Sequence, residues 1–214
     1  MGVKVMRHHS FTMLELVFVI VVVGILAAAL MPRLGRDNAG EAAYQIARHI
    51  RLAQHHALIE DRYGDPSADK WEATLWRIQF RSGTDGECYS VYTDRNANGG
   101  VPAQSERAVD PLTRKYVWAN TNCRSAPDVN DDVLLWKNFG IETVRVCGRS
   151  GAKHIAFDHL GRPGRISLGT FSFIPLSSDC TVHLSTSDGH NADIVVYRET
   201  GFVKVAKIDG VDIP

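Results

Sequence analysis

Few residues in this sequence have the types and spacing that chemistry needs. The segment Asp94-Arg95-Asn96-Ala97-Asn98-Gly99 sets oxygen-bearing side chains at alternate positions with glycine sixth. That is the opening of an EF-hand-type calcium loop. The twelfth position, where a bidentate carboxylate belongs, is Ser105, and Glu106 comes one residue late. Calcium held by Asp94, Asn96 and Asn98 is one reading; a polar turn stabilised by Asx hydrogen bonds is the other. His49, His55 and His56 are the right type for a metal, but their spacing does not put all three on one face of a helix. Arg149, Lys153, Arg162 and Arg165 could gather into a basic patch for phosphate, or stand among the interspersed acids as solvated loop charges. Asp158-His159 reads as part of a turn. No Gly-x-Ser-x-Gly, Walker-type phosphate loop or Gly-x-Gly-x-x-Gly after a strand occurs. The chain is therefore not read as an enzyme, and no catalytic residue is assigned.

One further carboxylate stands out by its surroundings. Glu15 lies near the start of the apolar run of residues 10–32. A charge at the centre of a membrane-spanning helix costs roughly 2.5–3.5 kcal/mol on insertion scales, so an acid in such a run is a functional candidate by default. The alternative is an interfacial carboxylate that reaches the headgroups.

The 214 residues carry 24 basic and 24 acidic side chains, so no global positive field argues for nucleic acid. Eighteen glycines, with many Thr, Ser, Asn and Asp, favour a turn-rich β domain after the apolar segment. The four cysteines lack CxxC spacing, which argues against zinc and for disulfides in an oxidising compartment. Three connectivities are open. Cys88–Cys123 and Cys147–Cys180 are preferred, because each would tie a strand to a neighbouring strand or loop.

These candidates must be held by recognisable elements. Lys4, Arg7 and two histidines precede the apolar run, and positive charge there holds that end in the cytoplasm and places the chain beyond Pro32 outside. Secretory-signal cleavage near Ala27 to Ala29 is a rival. Next, Ala39, Ala42, Ala43, Ile46, Ile50, Ala53 and Ala57 recur at steps of three and four, which predicts an amphipathic helix ending near residues 61–65. Pro32, Gly35 and Gly40 should bend or loosen the rod ahead of it. From Trp71 the period changes to two. Residues 74–80 and 88–93 alternate around a hairpin loop at 82–86. Further candidates are 133–136, 142–146, 154–157, 170–174, 180–186, 192–197 and 202–208.

The segment His9-Ser10-Phe11-Thr12-Met13-Leu14-Glu15-Leu16 resembles the processing motif of type IV pilins and type II secretion pseudopilins. The resemblance implies cleavage by a prepilin peptidase between Ser10 and Phe11 and methylation of Phe11. It makes Glu15 the fifth mature residue, which directs filament assembly by pairing with the α-amino group of a neighbouring subunit. Pro32 falls where the family has a helix-kinking proline. Ser10 departs from the glycine usual before the cut. Phe157-Asp158-His159-Leu160-Gly161-Arg162-Pro163 is similar to the Phe-Asp-x-x-Gly-Arg-Pro turn of the GspH/FimT-type minor pseudopilins. Some members of that branch bind DNA through Gly-Arg-x-Arg; here Phe202 and Lys204 replace the two arginines, and Arg162 and Arg165 form a different arrangement.

The resemblance implies an α+β, pilin-like fold: a long N-terminal helix, half membrane-spanning and half amphipathic, on a mostly antiparallel sheet domain. The divisions are a leader (1–10), a transmembrane or filament-core helix (11–32), an amphipathic half (33–65) and a periplasmic or extracellular β domain (66–214). The expected role is a minor pilin or pseudopilin, a structural subunit located as a single-pass protein of the inner membrane and then in a pilus or pseudopilus. Its partners would be other pilins or pseudopilins, the prepilin peptidase, the inner-membrane assembly platform and membrane lipid. No cofactor is assigned, with calcium as the side reading. The alternatives are a DNA-binding minor pilin for transformation and a membrane-anchored periplasmic receptor or enzyme.

Overall fold

The computed structural model describes residues 13–30, 38–60, 63–64, 70–148, 153–167 and 169–214. The chain divides into two compact units, Met1–Asp37 and Asn38–Pro214. Ser10, Phe11, Pro32 and Arg149 lie outside the described residues.

In the first unit the described element is helix α1, Met13–Leu30. Its residues 13–26 are exposed on every face. The expected single long helix with a membrane-spanning half is corrected here. The described residues form separate helices, and none is long and apolar enough to cross a membrane. Glu15 sits in the first turn of α1. The single-pass inner-membrane placement that depended on such a helix is withdrawn with it.

The second unit is mostly β. Its first element is α2, Asn38–Ile59, which buries Ala39, Gly40, Ala42, Ala43, Ile46, Ala47, His49, Ile50, Ala53 and Ala57. Small residues spaced by three and four give a narrow stripe on which backbone can approach closely. Ten strands follow: β1 Arg77–Gly83, β2 Gly86–Tyr92, β3 Ile141–Val146, β4 His154–Phe157, β5 Pro163–Ile166, β6 Phe173–Pro175, β7 Cys180–Thr186, β8 Asn191–Val196, β9 Val203–Ile208 and β10 Val211–Asp212. They form two five-stranded sheets, ordered β2-β1-β4-β5-β6 and β10-β9-β8-β7-β3. Every pairing is antiparallel. Helix α2 touches strands of both sheets. One core therefore joins Ile46 and Ile50 of the helix to Ile78, Tyr89, Ile155 and Phe157 of the first sheet and Val144, Leu184 and Ile194 of the second. Each large apolar side chain buried there contributes about 1.5–3 kcal/mol.

Two local expectations change. Residues 133–136 are not a strand. Asn130 accepts the Asp132 N–H through its side chain and caps a 3-10 turn, Asp131–Val133. Helix α3, Leu135–Phe139, comes next and ends at Gly140, whose φ is 65°. A short apolar run has no period of its own, so the cap and the terminal glycine decide its state. Conversely, Pro163-Gly164-Arg165-Ile166 is a strand despite its punctuating residues. Its proline takes the first position, where a missing N–H is tolerated.

Cys88 is joined to Cys123 and Cys147 to Cys180. The bridges close sequence separations of 35 and 33 residues, worth up to about 4 kcal/mol each by loop-closure entropy.

Candidate functional site

Two features could carry function: the exposed apolar surface of α1, and the polar face of α2 that fixes the β unit. On α1, Met13, Phe18 and Ile25 stand 86, 67 and 64% exposed. A helix apolar on all sides belongs in an apolar environment, within a large core or among other apolar helices. Glu15 is in the first turn, where the positive end of the helix dipole favours a carboxylate.

The polar residues bordering the alanine stripe of α2 reach into the β unit one after another. Gln45 Nε2 donates to Tyr89 Oη (2.9 Å) and to the Asp132 carbonyl (2.7 Å). His49 Nδ1 lies 2.7 Å from Tyr89 Oη. Arg48 Nη2 donates to Asp110 Oδ2 at 3.2 Å, and His49 Nε2 lies 3.5 Å from the same oxygen. Arg51 donates to the Val203 carbonyl (2.6 Å). Gln54 Nε2 reaches the carbonyls of Gly161 and Thr200, both at 2.9 Å.

The electrostatics of this network derive from its burial. Burial lowers the His49 pKa to about 4, the Arg48 charge adds to the effect, and Asp110 opposes it. His49 is thus neutral at pH 7. Tyr89 Oη accepts from Gln45 and shares a hydrogen bond with His49 Nδ1, while His49 Nε2 faces both Asp110 Oδ2 and Arg48 Nη2. Burial also raises the Tyr89 pKa. Burial opposes ionisation of Asp110, but the Leu112 N–H, His49, Arg48 and the Thr113 hydroxyl outweigh it and hold the carboxyl below its ordinary range. His49, Tyr89 and Asp110 are each at most 1% exposed. The group resembles a catalytic constellation in type, but no substrate could reach it. It is a buried strut between α2, β2 and the segment around Asp110.

The Phe157–Pro163 turn is self-capped. Asp158 Oδ1 accepts the N–H groups of Leu160 (3.0 Å) and Arg162 (2.8 Å), and Oδ2 pairs with Arg162 Nε at 2.8 Å. This commits Arg162 to its own turn. Arg165 is on β5, while Lys204 is on β9 of the other sheet. Lys153 pairs with Glu87 at 2.9 Å. Lys153, Arg162 and Arg165 of the expected basic patch thus lie on or next to the first sheet, with Lys153 and Arg162 engaged with acids, and Lys204 stands apart on the second.

The candidate calcium loop is likewise occupied with itself. Asp94 accepts the N–H groups of Asn98 (3.3 Å) and Gly99 (2.9 Å), Asn96 accepts that of Asn98, and Asn98 that of Gly100. Glu106 accepts the N–H groups of Arg95 and Ala103. Among the described residues no group of three or more His, Cys, Asp or Glu is placed to hold a metal ion. His49, His55 and His56 do not converge: His49 faces Tyr89, and His56 stacks on Trp76 with ring centroids 4.3 Å apart.

Nothing in the sequence pattern singles out Gln45, Arg48 or Gln54 beyond their position at the edge of an alanine-rich stripe, where a long polar side chain can reach past the helix. Compared with known proteins, the chain gives no significant match to any family model, curated protein or solved structure.

Proposed function

We propose that this chain is a structural subunit of a helical filament of the type IV pilin or pseudopilin kind, cut between Ser10 and Phe11 by a prepilin peptidase. The observation that carries the proposal is α1, whose residues 13–26 are exposed on every face although nearly all are apolar. The β unit has its own complete core, formed by residues between Ala39 and Val205. Cover for α1 is supplied by the α1 helices of neighbouring copies, added head to tail through interfaces that do not close. Glu15 sets the register of each addition by meeting the new α-amino group of Phe11 on a neighbour. Leaving either charge without its partner in that apolar surrounding costs about 3–5 kcal/mol. The α2 network keeps the β unit rigid while α1 is packed.

The test is intact-mass analysis of the chain co-expressed with a prepilin peptidase. The expected product lacks residues 1–10 and carries one N-methyl group on Phe11. Retention of residues 1–10, in cells that process a known pilin, refutes the proposal.

A further inference from the structure

A cleft of about 530 Å³ opens between the segment carrying Gln104 and Arg107 and the turn carrying Asp128 and Asn130, with Lys115 and Tyr116 beside it. Its volume is within the range of about 300–1,000 Å³ usual for small-ligand sites. Arg107 dominates it. The guanidinium sits over an aromatic floor, with Cζ 4.1 Å from the Trp118 ring centroid. Its Nε donates to the Pro102 carbonyl at 3.3 Å. The ring contact plus that one bond fixes the guanidinium and leaves the fork of terminal nitrogens aimed elsewhere.

Those terminal nitrogens make no hydrogen bond among the described residues. The carboxylate set beside them, Asp128 Oδ2, is 3.8 Å from Nη1, beyond hydrogen-bonding distance. The Arg107 side chain is 11% exposed, whereas that of Asp128 is 64% exposed. A desolvated guanidinium is thus held rigidly next to a loosely seated, replaceable acid. Burial lowers the Arg107 pKa, against the pull of Asp128 and Tyr116, as expected of a cation taken from water without full pairing.

We propose that this cleft receives a carboxylate-bearing peptide segment of a partner protein, with Arg107 taking the carboxylate in a bidentate pair and displacing Asp128. The lining decides between ligand chemistries. Two cations, Arg107 and Lys115, and one acid, Asp128, line the cleft, and Asp132, 3.0 Å from Lys115, brings the local charge balance to zero. A polyanion would meet both acids, whereas one carboxylate matches one planar fork. Gln104 and Asn130 supply amides suited to peptide groups, and the Tyr116 ring supplies an apolar wall. The site is independent of how α1 is covered.

The test is NMR titration of the full chain in detergent with N-acetyl-glutamate N-methylamide, tracking the Arg107 Nε–H and Trp118 indole N–H signals. Saturable shifts are expected, with the glutamine analogue binding at least tenfold more weakly. Asp128→Asn removes the competitor and should tighten binding about threefold or more, while Arg107→Lys should weaken it about tenfold by losing the bidentate geometry. Lys115→Gln, at a largely exposed side chain, should weaken binding severalfold with the melting temperature unchanged, so the proposal stays testable if Arg107→Lys fails to fold. Equal binding of the two analogues, inorganic phosphate competing as well as the glutamate probe, or no saturation up to about 100 mM, where even a weak ion-pair site fills, would overturn the proposal. An unchanged affinity in Asp128→Asn would overturn it as well.

Discussion

Gly201→Ala should be among the most damaging single changes in the β unit that leave every charge and large side chain in place. Gly201 has a φ of 67°, so any Cβ brings left-handed strain of about 1–2 kcal/mol. Here the Cβ would also sit well inside van der Waals contact of the Gly161 carbonyl oxygen and the Gln54 amide nitrogen. The turn must move to relieve that overlap, and Gln54 then cannot keep both its bond to Gly161 and its bond to Thr200. Losing one or both removes about 0.5–1.5 kcal/mol each. The total is about 1.5–5 kcal/mol. Gly210→Ala is the matched control. Its φ is 77° but nothing lies within 4 Å of the added Cβ, so only the backbone strain remains. The assay is urea denaturation of the full chain with disulfides intact, read by tryptophan fluorescence, because Trp71, Trp76, Trp118 and Trp136 all lie in the β unit. Gly201→Ala should lose about 0.5–3 kcal/mol more than Gly210→Ala. In a double-mutant cycle, Gln54→Ala should absorb part of the Gly201→Ala loss, because the two changes act on one contact. Equal losses at the two glycines, or strict additivity with Gln54→Ala, would show that the contact between the two turns does not carry the strain assigned to it.

Acid should loosen the β unit through two buried histidines. His49 and His154 are both lowered from 6.5 to about 4, chiefly by burial. The unfolded chain therefore binds protons first, and stability falls as the pH drops from about 6.5 toward 4, by up to about 3 kcal/mol per histidine. Urea midpoints at pH 7, 5 and 4 measure this, and a flat profile would contradict it. Replacing Cys147 and Cys180 together by serine should cost up to about 4 kcal/mol, and reductant should then lower the melting temperature of the variant less than that of the parent. Glu15→Ala should leave peptidase processing intact while abolishing incorporation into filaments. Normal incorporation of that variant, read by quantitative blotting of sheared filaments, would count against register-setting by this acid.

Legibility in the sequence tracks how local the deciding interaction is. Residues 87–92 are buried on both faces and were legible from β-branched and aromatic content beside a hairpin loop. The alternation in residues 180–186 and 203–208 instead mirrors one buried and one wetter face, so those strands could be read directly. The alanine stripe of α2 could be read the same way. Residues 133–136 could not, because four apolar residues have no period and the Asn130 cap lies outside the run. Pro163–Ile166 was hidden by its own Pro and Gly. The strut from Arg48 to Asp110 spans 62 residues of sequence, and nothing in either segment announces the other. The membrane-spanning expectation fails on the described residues, where no helix is long and apolar enough to cross a membrane. The cleft around Arg107 was invisible because it depends on Trp118 lying beneath that particular arginine.

Six of the ten buried residues of α2 are alanine: Ala39, Ala42, Ala43, Ala47, Ala53 and Ala57. A methyl group has no rotamers to freeze, so seating this helix costs backbone order and almost nothing in side-chain freedom. The isoleucines and the polar struts then fix the register of the helix on both sheets.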